Sequence, residues 1–139
     1  MLVESKFLSS KNVAANAKDI SLSKQEEEKI KDFLQGAVYC WCKIKGEEWF
    51  IFKDLMGGDN RNWGETPLQT LFEKSKQINN DDKEAENLAA KNAGILLKKV
   101  LIGDTKRCFE IGEISENGME KKKYRYVPNL DPSNVQSQS

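Results

Sequence analysis

Histidine is missing from this chain of 139 residues, which removes the commonest general base, the commonest zinc ligand and the usual partner of a catalytic nucleophile. Net charge is missing as well. The 22 basic and 22 acidic side chains cancel and the isoelectric point is near 6.4, so the whole molecule has no field that would gather nucleic acid or an anionic membrane. Any cationic surface must be local. Cysteine is scarce and odd in number: Cys40, Cys42 and Cys108 make no disulfide framework, no stretch reads as a signal peptide, and a reducing, cytoplasmic setting is expected. Long apolar runs are absent too. The longest, "GAVYCWC", falls far short of the ~20 residues a helical membrane span needs, so no membrane partner is expected.

The motifs of catalysis and metal binding are equally thin. No Ser-x-x-Lys pair, glycine-rich phosphate loop or paired catalytic carboxylate is visible, and Gly57-Gly58 lacks the strand-to-helix setting of a phosphate loop, so neither an enzyme nor a cofactor is expected. In "CWC" the two thiols would point about 200° apart on a helix and could not share a metal. "DNRNWGE" looks superficially like a calcium loop, yet Arg61 and Trp63 stand where oxygen ligands belong.

At this length one domain is expected, and three segments divide the chain. Residues 1–22 read as a flexible arm in which "NVAANAKDI" has the spacing of a short helix if something docks it; residues 23–127 read as the folded domain; residues 128–139, with two prolines and small polar residues, read as a disordered tail. Ser23 opens an S-x-x-E capping box, and Ile30, Phe33, Leu34, Ala37, Val38, Trp41 and Ile44 follow at helical spacing until Gly46. "EEWFIF" (47–52) reads as a short strand, and the glycine-rich loop after it has room for one helical turn at 53–56. Thr66-Pro67 starts a short second helix with Leu68, Leu71 and Phe72 on its buried face. A third helix, capped at Asp81 or Asp82, carries the core stripe Ala85, Leu88, Ala89, Ala93, Leu96, Leu97 and Val100, with Asn87, Lys91, Gly94 and Lys98 aligned on the opposite side.

Asn117-Gly118 is the strongest local signal in the chain. A two-residue Asn-Gly loop makes Glu116 face Met119, which pairs Phe109 with Tyr126, Ile111 with Tyr124 and Glu113 with Lys122 on one face, and Glu110 with Arg125 and Ile114 with Lys121 on the other.

This order of helix, strand, helix, helix and hairpin is α+β and resembles the winged helix-turn-helix superfamily over residues 23–127, through element order and apolar pattern. The resemblance implies that the third helix reads DNA and the hairpin is the wing. Asn87, Lys91 and Lys98 would then face a double-stranded DNA groove or its phosphates, and Lys121, Lys122, Lys123 and Arg125 would lie along the backbone. Residues 95–127 hold eight Lys or Arg against five Asp or Glu, a modest local surplus. The alternative is a protein-interaction module of the same fold, with these lysines a solvated face and the aromatic loop or a helix face docking a protein partner or a second copy. Trp63 bears on that choice: it is either an exposed anchor for a partner or a lid folded over Trp49–Phe52, and burial of large aromatics favours the lid.

Overall fold

The computed structural model describes residues 2–4, 6–7, 17–57, 63–116 and 118–130. Most of "NVAANAKDI", the segment 58–62, Asn117 and the tail 131–139 lie outside them. The fold is α+β, with four helices among the described residues and an antiparallel hairpin at the C-terminal end.

The first helix, α1 (Lys24–Lys45), begins where its capping box places it. Ser23 Oγ accepts the Glu26 amide at 3.1 Å and Glu26 Oε1 accepts the Ser23 amide at 2.8 Å, satisfying donors that a helix start leaves open. That backbone bond, joined by Lys74 Nζ at 3.2 Å, holds the Glu26 carboxyl below its ordinary range. Gly46 ends the helix at φ 62°, a conformation costly for other residues, and returns its amide to Cys42 O. Ile30, Leu34, Val38 and Cys42 form the buried row. Ile44, expected in the core, is 78% exposed because α1 runs on past the row that ends at Cys42.

A strand was expected over residues 47–52, but only Phe50 pairs there, in a single antiparallel bridge to Tyr124. The cause lies one residue on. Asp54 Oδ2 accepts the Ile51 amide at 2.9 Å as the chain turns into the one-turn helix α2 (Phe52–Leu55), which takes Phe52 out of the next ladder position on the hairpin, so the helices number four rather than three. Thr66 Oγ1 accepts the Leu68 amide at 3.2 Å and leads into α3 (Gln69–Ile78). Next comes α4 (Asp82–Gly103), with Asp82 and Glu84 in its first turn, where the helix dipole favours negative charge. Its buried row includes Ala85, Ala89, Ala93, Leu96, Leu97, Val100 and Leu101, and it packs against both α1 and α3.

At the end of α4, buried Asp104 joins three elements. Its carboxylate accepts the amides of Lys106 and Arg107 at 2.8 and 2.9 Å and Gln35 Nε2 of α1 at 3.2 Å, which aims the chain into the hairpin.

The hairpin strands, β3 (Cys108–Glu116) and β4 (Met119–Val127), adopt the register derived from the turn, from Phe109 opposite Tyr126 to Glu116 opposite Met119, and Gly118 turns the chain at φ 77°. Phe109, Ile111 and Tyr124 close the core against the helices. Residues 1–22, read as an arm, also contribute to the sheet. β1 (Leu2–Glu4) runs parallel along the free edge of β3 and β2 (Lys6–Phe7) folds back on it, giving the order β2-β1-β3-β4. An uncovered β3 edge offers unpaired backbone groups, and Leu2-Val3 supplies a short apolar segment to meet them. Farther along, Ile20 and Leu22 pack on the core, and Lys74 Nζ donates to Ser21 O at 2.7 Å. Buried Asn92 of α4 clasps Lys18, accepting its amide at 2.7 Å and donating to its carbonyl at 3.0 Å. The expected tail likewise starts ordered: Leu130 O accepts the Cys108 thiol at 3.3 Å.

Candidate functional site

A residue three or four positions along a helix returns to the same side, so Lys83, Asn87, Lys91, Gly94 and Lys98 make one row about 22 Å long on α4. This row lines a groove of about 1130 Å³. Lys121 and Lys122 at the start of β4 close one side. The opposite side comes from α2, the residues after it, and α3, which present Phe52, Trp63 and Phe72. Trp63 folds back edge-on against Phe52, with ring centroids 6.0 Å apart at 72°.

The groove concentrates charge that the chain as a whole lacks. Lys53, Lys83, Lys91, Lys98, Lys121 and Lys122 line it against two acids, Glu86 and Glu120. Lys122 is paired with Glu113 across the hairpin, whereas Lys83, Lys91 and Lys98 make no ion pair among the described residues. Six ammonium groups beside apolar walls attract anions more strongly than the same groups dispersed over an open surface, because low-dielectric walls focus the field.

Of the seven residues singled out in the sequence, Asn87, Lys91, Lys98, Lys121 and Lys122 share this groove. Lys123 and Arg125 do not. They stack on Trp49, with Lys123 Nζ 4.4 Å and Arg125 Cζ 4.9 Å from the ring centroid, and Arg125 Nη2 bonds Glu110 Oε2 at 2.6 Å. Gly112 makes space for this stack: a Cβ there would stand 3.0 Å from Lys123 Cε and 3.5 Å from the Trp49 ring. These two cations hold the hairpin to residue 49, a contact worth ~1 kcal/mol per pair at a partly exposed site.

Sequence reasoning missed Lys83 and the groove roles of Phe52 and Phe72. Lys83 was within reach, since it lies one turn ahead of Asn87 on the same row. The two phenylalanines had the appearance of core formers, and only the packing shows that one side of each is left at the groove.

Two further reactive groups are buried. Cys42 is buried and its thiol is pushed up to about 11 by that burial, leaving it protonated near neutral pH. Burial likewise raises the Tyr124 phenol, at the base of the groove, well above its ordinary value. No cluster of three or more Cys, Asp or Glu that could hold a metal occurs among the described residues, and no helix among them is long and apolar enough to cross a membrane.

Comparison with protein-family models, with curated proteins and with solved structures returned no match.

Proposed function

We propose that this chain binds nucleic acid through the groove between α4 and the hairpin. The observation that carries this reading is the meeting, in one groove, of the α4 lysines Lys83, Lys91 and Lys98, which make no ion pair among the described residues, and the lysines that open β4. A phosphate backbone is the polyanion whose repeated charge suits such a row. The wider arrangement supports it. The antiparallel bridge from Phe50 to Tyr124 is consistent with the strand that the resemblance to winged helix-turn-helix proteins expects beside the hairpin. Lys123 and Arg125 are left out of the binding surface, since Trp49 and Glu110 already engage them.

A second reading, a protein-interaction module, draws on Tyr39 and Ile44, which α1 leaves 51% and 78% exposed. Fluorescence anisotropy with labelled nucleic acid separates the two. Four phosphate contacts predict a 50- to 150-fold loss of affinity, roughly, between 50 and 200 mM salt. Absence of binding even at low salt would leave only the interaction module.

A further inference from the structure

Resting on the nucleic-acid reading, we infer that the ligand of this groove is a single strand, a few nucleotides long, with its phosphates along α4 and β4 and its bases against Phe52, Trp63 and Phe72.

The division of chemistry between the walls carries the argument. Cations on α4 and β4 suit a phosphate chain of either form, so they do not discriminate. Aromatic faces do. In a duplex the bases are stacked on one another inside the helix, and a protein ring beside it finds no base face to cover. An unpaired strand exposes a π-face at every base, and such bases stack on aromatic side chains with little regard for sequence. Phe52, Trp63 and Phe72 are each only partly buried and all line the groove.

The shape agrees. A helix that reads a duplex enters the major groove, whereas here the Lys83-to-Lys98 row lies along a concavity with walls on both sides. The volume, about 1130 Å³, lies at or above the top of the ~300–1,000 Å³ range of small-molecule sites, which suits a short polymer segment better than a single anionic metabolite.

The test compares three fluorescein-labelled probes of one mixed sequence at equal salt: a 12-nucleotide DNA strand, the matching RNA strand and the DNA duplex. At least one strand is expected to bind tenfold or more tightly than the duplex, and the two strand arms decide between RNA and DNA. Binding should quench tryptophan emission in the wild-type protein and in Trp49→Phe, whose missing indole lies at the Lys123–Arg125 stack. Trp63→Leu, with folding verified by circular dichroism, should weaken the strand about 5- to 100-fold and remove most of the quenching. Phe72→Leu repeats the affinity test at a second ring. A duplex bound as tightly as either strand overturns the inference while leaving the nucleic-acid reading intact; failure of all three probes at low salt overturns both. Strand binding that is unmoved by Trp63→Leu and Phe72→Leu, with no quenching, overturns the stacking arrangement.

Discussion

Lys122 and Lys123 are neighbours in one basic run, yet the first lines the groove and the second stacks on Trp49 on the other side of the sheet. Strand alternation separates them, and what each face meets decides the outcome. Asn87 and Asn92 make the same contrast on α4. Five residues turn a helix by about 140°, so Asn87 is exposed at the groove while Asn92 is buried against the backbone of Lys18. Cys40 and Cys42 repeat it on α1, one exposed and one buried. Alike side chains acquire opposite settings, open on one surface and packed on the other.

Reversing charge on the groove side should have the largest effect. Lys91→Glu with Lys98→Glu should weaken binding of the preferred nucleic acid by a hundredfold or more in anisotropy titrations, while the melting temperature moves by no more than about 2 °C, as expected for surface changes. A comparable loss from Lys123→Glu alone would break the distinction between the two faces of β4.

Asn92→Ala tests the cohesive side of α4. It leaves the Lys18 amide and carbonyl without their partner and should cost ~2 kcal/mol in urea denaturation. Hydrogen exchange should show faster opening of residues 17–22. Asn87→Ala should leave stability unchanged in the same assay.

Arg125→Ala removes both the stack on Trp49 and the bond to Glu110. About 1 kcal/mol of stability should be lost, with nucleic-acid affinity altered less than twofold. A large affinity change with unaltered stability would place Arg125 in the binding surface after all.

The thiols give the smallest and most local signal. A thiol reagent should label Cys40 in the native protein and reach Cys42 only as the fold opens. Because burial raises the Cys42 thiol from 9.0 to about 11, the unfolded chain loses that proton first. The contribution of Cys42 to stability is therefore intact below pH 9 and declines as the pH climbs toward 11. Denaturation at pH 7, 9 and 10 should show this decline, and Cys42→Ala should reduce it.

Legibility in the sequence followed the range of the interactions. The Ser23 capping box spans four residues and the Asn117-Gly118 loop sets a register that propagates outward pair by pair, so both could be derived from neighbours along the chain. The strand expected at 47–52 failed on a competition between two local options, since α2, whose start the Asp54 carboxylate fixes on the Ile51 amide, begins at Phe52, where the ladder would continue. β1 was illegible for a different reason. Three residues carry too little periodicity to announce a strand, and the partner is β3, more than a hundred positions away.

For the candidate site, the α4 row was legible because helix periodicity places side chains on a given side of their own element, whereas the opening of β4 was legible only as a basic run, since alternation puts Lys121 and Lys122 on opposite faces of the strand. That Asn87, Lys91 and Lys98 share a groove with Lys121 and Lys122 was not contained in either period. It depends on how α4 packs beneath the sheet, where α3 leaves Phe72 and where the segment before Thr66 leaves Trp63. Local hydrogen bonding and side-chain alternation, which act over a few residues, were determined by the sequence alone: the capped helix, the hairpin register and the basic row. The convergence of cations and aromatic rings, the burial of Asn92 and the diversion of Lys123 and Arg125 to Trp49 were decided by tertiary structure, because each requires surfaces that only long-range packing brings together.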